Sequence, residues 1–368
     1  MGQAGKRRAR AVAAIPSLTG VRATAALWVV LHHLRLGPLR LLDVPAVVDR
    51  ACRLGYLGVD LFGFLSGFVI AHNYAERLAR DRRTGLAPYL WARGVRIAPL
   101  HWLVLALLVA AVAFVPGFPA RPAERPLYRA SELPLQALLL HGWSLGNGFA
   151  WNLPSWTVSS EWLCYLVFPL VAPLVARERD AARAALLAAL AFVATALALR
   201  ALGHPDWNAA MQGGVVRIAG EFAAGCLLQR AFAAGFARGA AWGAIALGAV
   251  VAAALAVAAD QPTALVACLG VLVLALAQQQ GVVARAFSTR TMVALGDASY
   301  AVYITHWLSL GLLALWLPPA LATPRTSSAG AISLGVHLAA IFGFALVLHH
   351  VFENPVRRRL RRWFRAER

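Results

Sequence analysis

Apolar residues occur in long blocks along the chain, and short polar segments separate the blocks. A helix that crosses a bilayer needs about 20 mostly apolar residues. The pattern predicts about ten transmembrane helices, which together form one membrane domain over residues 18–352. They lie at residues 18–36, 54–75, 97–116, 155–176, 182–202, 215–233, 239–259, 263–280, 297–317 and 331–352. A basic segment (1–17) precedes this domain and an Arg-rich tail (353–368) follows it.

The composition supports an all-α polytopic membrane bundle. Apolar residues make up 60% of the 368 residues and charged residues 14%, whereas soluble domains have about 45–50% and about 25%. The mean hydropathy is +0.65. The four cysteines are scattered without a C-x-x-C spacing, and no H-E-x-x-H sequence occurs. We therefore expect neither a disulfide framework nor a metal site.

The net charge of +19 is distributed in short loops and in the tail rather than along one face. This distribution argues against a nucleic-acid-binding protein and fits a membrane topology. If the N-terminus is cytoplasmic and the spans alternate, 24 of the 35 Lys and Arg residues lie inside, nine lie outside, and Arg22 and Arg217 lie within spans. The positive-inside rule then predicts an even number of spans and two cytoplasmic termini.

Several ionisable residues fall within the predicted spans, where burial in lipid is costly and function is the usual reason for it. Arg22 and His33 are eleven residues apart, which is close to three helical turns, so they share a face about 16 Å apart along the axis. Asp60 and Glu161 each lie about two turns from the outer side of their spans. The sequence predicts that His33, Asp60 and Glu161 meet in the outer half of the membrane.

At the inner end, Arg93 and Arg96 are three residues apart and share a helix face. Ser66 and His306 fall at intermediate depth. The chain therefore predicts a line of polar groups that is cationic inside and carries an imidazole outside. A cationic inner mouth suits a phosphate-bearing cytoplasmic donor. An imidazole near a carboxylate suits removal of a proton from a hydroxyl group.

Structural roles remain open for several of these residues. Arg93 and Arg96 are also explained as topology determinants, and Asp60 or Glu161 as the partner of a buried cation. The Ser66 hydroxyl is expected to donate to a backbone carbonyl.

Other polar residues have structural interpretations of their own. His306 has two interpretations, a role in the site or an interhelical hydrogen bond. His33 is also explained as a histidine at the membrane interface near the helix end. Trp151 and Trp156 are expected in the interfacial belt, and Glu353-Asn354-Pro355 is expected to end the last span. Arg217 is expected to snorkel to the outer interface and Glu221 to pair with it.

Six segments resemble, in order, the motifs of the membrane acyltransferase-3 family, which are bacterial O-acyltransferases that modify surface glycans and other hydroxyl compounds. The resemblance extends over residues 18–359. The segments are LTGVRATAALWVVLHH (18–33), GYLGVDLFGFLSGFVI (55–70), YLWARGVRIAPLHW (89–102), SWTVSSEW (155–162), SYAVYITHW (299–307) and FENPVRR (352–358).

The resemblance implies roles for the matched residues. Arg93 and Arg96 would hold the phosphates of an acyl-CoA, and Arg22 would also take part in binding this donor. His33 would act in acyl transfer, either as a base or as an acyl carrier. The carboxylates of Asp60 and Glu161 are expected to assist His33 in catalysis. Four further residues are candidates for the site: Ser66, Trp156, Tyr300 and His306.

The implied protein is an O-acyltransferase of the bacterial cytoplasmic membrane that binds no resident cofactor. It would move an acyl group, which is expected to be acetyl, from cytoplasmic acyl-CoA to a hydroxyl of an envelope glycan, a lipid-linked glycan or a similar acceptor. Its partners would be this acceptor and membrane lipids. A proton-coupled transporter or flippase is the alternative, because buried Asp, Glu and His also form proton relays. The sequence shows no internal repeat, which argues against an inverted-repeat transporter. A non-catalytic scaffold is a third class.

Overall fold

The computed structural model describes residues 14–35, 37–120, 122–210, 213–316 and 327–366. Every regular element within these residues is helical, which confirms the all-α prediction. The helices are α1 Pro16–Leu34, α2 Ala46–Arg53, α3 Gly58–Arg80, α4 Arg82–Phe114, α5 Leu133–Ala137, α6 Trp156–Arg177, α7 Ala181–Ala201, α8 Gly214–Ala234, α9 Trp242–Ala258, α10 Pro262–Ala277, α11 Gly281–Phe287, α12 Arg290–Trp316, α13 Ser327–Leu348 and α14 Asn354–Ala366.

Within the described ranges, six helical segments are long and apolar enough to cross a bilayer. They are Ala46–Arg80, Arg82–Phe114, Leu153–Arg177, Ala181–Ala201, Arg290–Leu315 and Gly330–Phe364. A seventh results if α10 and α11, which are bent by 85° to each other, form one span. The chain is therefore a multi-pass membrane protein, while the count of about ten spans and the cytoplasmic termini remain predictions.

Three further helices expected to be spans, α1, α8 and α9, are not among these segments. The apolar α9 has only 17 residues. A different reason applies to α1 and α8. They have 19 and 21 residues, so their length is sufficient. However, α1 carries Arg22 and two histidines, and α8 carries Arg217 and Glu221. These charged and polar residues lower the mean hydropathy of two helices that contribute to the polar interior.

Helix α4 begins fifteen residues before the predicted span at 97–116. Asp81 precedes its first residue, and one carboxylate oxygen accepts a hydrogen bond from the backbone N–H of Thr84 over 3.2 Å. The other carboxylate oxygen accepts the Thr84 hydroxyl over 2.6 Å. Such an N-cap stabilises a helix start, so Arg93 and Arg96 lie on a helix rather than in a loop.

The central helices approach one another closely because glycines line their contacts. Helix α1 packs against α12 and α3, and α3 packs against α6 and α8. A Cβ atom on Gly296 of α12 would collide with the carbonyl oxygen of Thr19, and one on Gly67 of α3 would collide with that of Phe222. This packing brings the polar faces of α1, α3, α6, α8 and α12 together.

The helix α13 does not end at Glu353-Asn354-Pro355 as predicted. A π-helical turn, His349–Glu353, connects it directly to α14. Pro355 is the second residue of α14, directly after the π-helical hydrogen bond from the Asn354 N–H to the His349 carbonyl. The Arg-rich tail is therefore helical over Asn354–Ala366.

Candidate active site

Two histidines from α1 and α12 form a pair inside the bundle. His306 is fully buried and His33 is half-buried. The Nε2 atom of His306 lies 3.2 Å from Nδ1 of His33, and the ring centres are 4.9 Å apart. The His33 ring also lies edge-on to Trp307, with 5.7 Å between ring centres. Among the described residues, the side chain of His306 is thus within hydrogen-bond distance of the predicted catalytic histidine, His33.

Backbone carbonyls assign the protons of this pair when both rings are neutral. His306 Nδ1 lies 2.7 Å from the carbonyl oxygen of Tyr303, and His33 Nδ1 lies 2.9 Å from that of Val29. A carbonyl only accepts, so each Nδ1 carries the proton. His306 Nε2 is then the acceptor for His33 Nδ1. The basic nitrogen of His33 is therefore Nε2, and its positive form is stabilised by two acceptors at Nδ1.

Glu161 on α6 is bound by two hydroxyl groups. Ser66 donates to Oε1 over 2.9 Å and Tyr165 donates to Oε2 over 3.0 Å. The two hydroxyl oxygens are also 3.0 Å apart. The expectation that Ser66 returns its hydroxyl to a backbone carbonyl is wrong, because a buried carboxylate is the stronger acceptor. Tyr165 was missed, although it lies one helical turn after Glu161 and so shares its face.

A narrow cavity of about 40 Å³ lies between α1, α3, α6, α8 and α12. Its polar lining includes Arg22, Glu161, Ser299, Tyr300 and Tyr303. This volume holds no more than a few waters, so the cavity is a passage or a small-group site and does not fit a sugar ring. The sequence identified Arg22, Glu161 and Tyr300 but gave no role to Ser299.

Tyr303 connects this cavity to the histidine pair. Its ring lines the cavity, and its backbone carbonyl accepts from His306. Its hydroxyl lies 2.6 Å from Thr157 Oγ1 and donates to the carbonyl of Pro154 over 2.8 Å. These bonds fix the tyrosine between α12 and the start of α6.

The two arginines of the R-x-x-R segment have different partners. Arg93 donates to the Tyr74 hydroxyl over 3.2 Å and lies over the rings of Tyr74 and Tyr165. Arg96 forms an ion pair with Glu353, with 2.9 Å between Nη1 and Oε1, and lies 5.6 Å from the centre of the Tyr300 ring. Sequence reasoning assigned Glu353 only to a helix end, because nothing local pairs it with a residue 257 positions away.

Two of the predicted donor-binding arginines keep an unpaired nitrogen. In the described part of the chain, Nε of Arg22 and Nε of Arg93 are buried without a hydrogen-bond partner, as is the Ser299 hydroxyl. Buried N–H groups of this kind are costly when unbonded. A guanidinium group with a free donor matches a phosphate or carbonyl oxygen. The two nitrogens are therefore available to an oxygen atom of a bound molecule.

Asp60 does not join His33 or Glu161. Its carboxylate is fully buried and binds Arg217 of α8 through two hydrogen bonds, one of them 2.9 Å long. Arg217 is also buried, so the expectation that it snorkels to the interface is wrong. Glu221, one turn further on, lies 3.8 Å from Arg217, as the sequence predicted. A bidentate partner on α3 holds the arginine inside the bundle.

Trp156 and Trp151 are buried, with 6% and 4% of their surface exposed. The expectation that they belong to an interfacial belt is therefore wrong. Trp156 is the first residue of α6, and its ring fills the space over Gly214 at the start of α8. The tryptophan thus packs between two of the helices that carry the site.

A series of contacts, interrupted only by the narrow cavity, connects the R-x-x-R segment with the histidine pair. Arg93 lies over the ring of Tyr165, which binds Glu161. Glu161 shares the narrow cavity with Tyr303, which in turn contacts His306. We call this series the polar path: Arg93, Tyr165, Glu161, Tyr303, His306 and His33. Within the described ranges, no group of three or more His, Cys, Asp or Glu side chains is arranged to hold a metal ion.

Comparison with known proteins identifies the family. Residues 15–350 match the acyltransferase-3 family, whose unit is described as an acyltransferase domain. The chain belongs to the acyltransferase-3 family. It is accordingly a transferase that acts on acyl groups other than aminoacyl groups.

Two relatives illustrate the extent of the similarity. Acyltransferase MdmB of Streptomyces mycarofaciens is 30% identical over 380 residues, which cover 95% of this chain and 94% of the relative. Protein 2 in the picA locus of Rhizobium radiobacter is 39% identical over 93 residues, 25% of this chain and 43% of that protein. No solved structure matches. The acyltransferase-3 similarity therefore extends over the whole membrane domain.

Proposed function

We propose that this protein is a membrane O-acyltransferase that takes an acyl group from cytoplasmic acyl-CoA. The acyl group, acetyl in the simplest case, is transferred to a hydroxyl group of an envelope glycan or a lipid-linked glycan at the opposite side of the inner membrane. Arg93, Arg96 and Arg22 bind the donor, and His33 acts on the acceptor. The observation that carries this proposal is the polar path, which leads from the arginine region to a histidine whose Nε2 is its basic nitrogen.

The transfer step follows from the proton positions of the histidine pair. His33 Nε2 removes the proton from the acceptor hydroxyl, and the oxygen attacks the carbonyl carbon of the thioester. The new C–O bond forms, the C–S bond breaks, and CoA leaves as a thiolate that receives the proton from His33. His306 Nε2 and the Val29 carbonyl accept from His33 Nδ1, so they hold the ring in orientation and stabilise it while it is charged.

The first test is transfer of labelled acetyl from acetyl-CoA to envelope polymer in membrane preparations. His33→Ala should lower the transfer rate by roughly 100-fold or more, because general-base catalysis contributes about 10²–10⁴-fold. His32→Ala is the matched control. His32 is the residue before His33 in α1. Its Nδ1 lies 2.8 Å from the backbone carbonyl oxygen of Arg53, so its hydrogen bond is outside the pair of His33 and His306. Full transfer by His33→Ala, in a protein present at the wild-type level, would refute the mechanism.

A second test separates the base from the acyl carrier. If His33 acts as a base, wild-type protein given labelled acetyl-CoA without an acceptor should retain no label after denaturation. Rapid acid quenching followed by peptide mass analysis measures this directly. An acetyl group found on His33 would assign it as a carrier, and the direct attack of the hydroxyl on the donor would then be wrong.

The buried cluster of Asp60, Arg217 and Glu221 is the feature that a proton-coupled transporter or flippase would use. Three ionisable groups meet there, with two carboxylates against one arginine. Uptake of a glycan substrate into proteoliposomes without any acyl donor would favour that function. Acetyl transfer that depends on His33, measured in the same proteoliposomes after acetyl-CoA is added, would exclude transport as the main activity.

A further inference from the structure

A separate pocket of about 380 Å³ opens at the end of the bundle that carries Arg93. The end of α3, the first half of α4 and the helix α14 form its walls. Among the described residues its lining is mainly aromatic and cationic and includes no acidic side chain: Tyr74, Arg77, Pro88, Trp91, Ala92, Arg361 and Phe364. Its volume falls in the range of about 300–1,000 Å³ that is typical of small-molecule sites.

Two aromatic residues of this pocket are held in a fixed arrangement. The rings of Trp91 and Phe364 are stacked, with 5.3 Å between their centres and 13° between their planes. The indole N–H of Trp91 donates to the backbone carbonyl of Leu360 over 3.2 Å. A stacked pair that is fixed on one side offers a flat apolar surface on which a nucleobase packs well.

The pocket adjoins the start of the polar path. Tyr74 lines it, and the hydroxyl of the same tyrosine accepts a hydrogen bond from Arg93 over 3.2 Å. A ligand that fills the pocket therefore lies one side chain away from Arg93, whose Nε has no partner among the described residues. Arg77 and Arg361 stand on the two sides of the pocket formed by α3 and α14.

We propose that this pocket binds the nucleotide end of the acyl-CoA donor, a step that rests on the proposed function. The adenine base stacks on Trp91 and Phe364, and Arg77 and Arg361 bind the phosphates. The pantetheine arm then passes Tyr74 and Arg93 toward the narrow cavity. The Arg-rich helix α14 is thus part of the donor site. An anionic lipid headgroup would use the arginines but gain nothing from the stacked rings, which favours the nucleotide.

The test is calorimetric titration of the purified full-length protein, in nanodiscs of neutral phosphatidylcholine, with adenosine 3′,5′-bisphosphate. Wild-type protein should bind it. Trp91→Leu should bind roughly tenfold more weakly and Trp91→Phe should regain most of that affinity, because stacking on an aromatic side chain contributes about that factor. Arg361→Gln should also weaken binding.

The matched control is Arg359→Gln, which lies on α14 but lines a different cavity with His350 and Pro355. It should bind the nucleotide like the wild type. No binding by the wild type, or equal binding by wild type, Trp91→Leu and Arg361→Gln, would overturn the proposal. Loss of phosphatidylglycerol binding by these variants, with nucleotide binding kept, would overturn it as well, because the pocket would then be a lipid site.

Kinetics with two donors distinguish this proposal from the proposed function. Trp91→Leu should raise the KM for acetyl-CoA roughly tenfold and leave the KM for acetyl-pantetheine unchanged, since the shorter donor lacks the nucleotide. Equal increases for both donors would show a structural defect and refute the pocket. If wild-type protein binds the nucleotide but transfers no acetyl, the function fails while the pocket stands.

Discussion

At the scale of single residues, Asp60 and Glu161 are both buried carboxylates, but their partners differ in kind. Asp60 binds a buried arginine through two hydrogen bonds, whereas Glu161 accepts from two neutral hydroxyl groups beside a cavity. The first arrangement neutralises charge between two helices. The second leaves a carboxylate available to a molecule in the cavity.

These two environments predict opposite results for isosteric substitution. Asp60→Asn should destabilise the protein by about 3 kcal/mol, because it leaves the buried Arg217 without its main counter-charge. Glu161→Gln should lower acetyl transfer roughly tenfold or more through the loss of charge next to the reacting groups, with a smaller effect on stability. Thermal unfolding in detergent and the membrane transfer assay measure the two effects. A stable but inactive Asp60→Asn protein would contradict this prediction and would show that Asp60 takes part in catalysis.

The sequence predicted which residues share a face of one helix, but it did not predict which residues of different helices are paired. Helical periodicity placed Arg22 and His33 on one face of α1, and in the structure one shares a cavity with α12 residues and the other contacts His306. Pairings such as Asp60 with Arg217, 157 positions away, depend on which helices are neighbours. Periodicity within one helix carries no information about that.

At the scale of elements, the start of α4 decides whether the R-x-x-R arginines point in a fixed direction. Hydropathy predicted the start at residue 97 because residues 82–96 include four arginines. A hydropathy profile is also insensitive to a capping side chain. Asp81 supplies that cap through both of its carboxylate oxygens. The Thr84 hydrogen bonds lower the pKa of the Asp81 carboxyl below its ordinary value of 3.8.

The cap predicts a pH-dependent contribution to stability. Because the folded-state pKa is lowered, the contribution is fully present above about pH 4 and is lost as the pH falls through the lower folded value. Asp81→Ala should therefore unfold at a lower temperature than wild type at pH 7, and the difference should disappear in strong acid. Asp81→Asn, which caps without a charge, is the control. A constant difference at all pH values would show that the carboxylate charge plays no part.

At the scale of the whole molecule, the number of spans and the side on which each terminus lies remain predictions. Six segments meet the requirements for a span within the described residues, and the polar helices α1 and α8 lie among them in the bundle. Hydropathy alone undercounts helices that carry a site, because buried arginines and carboxylates offset their apolar residues.

Reporter fusions test this topology directly. We expect both termini in the cytoplasm, since 24 of 35 basic residues then lie inside. A fluorescent protein that folds only in the cytoplasm should be bright at either end, and a periplasmic phosphatase should be inactive there. Fusions after residues 120 and 205 should give the reverse pattern. Activity of the phosphatase at the C-terminus would require an odd number of spans and would place α14 outside.

The π-helical turn His349–Glu353 sets the angular phase of the Arg-rich helix that follows it. A π turn accommodates one residue more than an α turn, and each residue rotates a helix by about 100°. Deleting one residue from the turn would therefore rotate α14 by about a quarter of a circle or more. The Phe364 ring and the Leu360 carbonyl would then both turn away from Trp91. The contacts that α14 makes with Trp91 thus depend on how many residues the π turn contains. An insertion or deletion in this turn would change all of these contacts at once, which no single substitution would do.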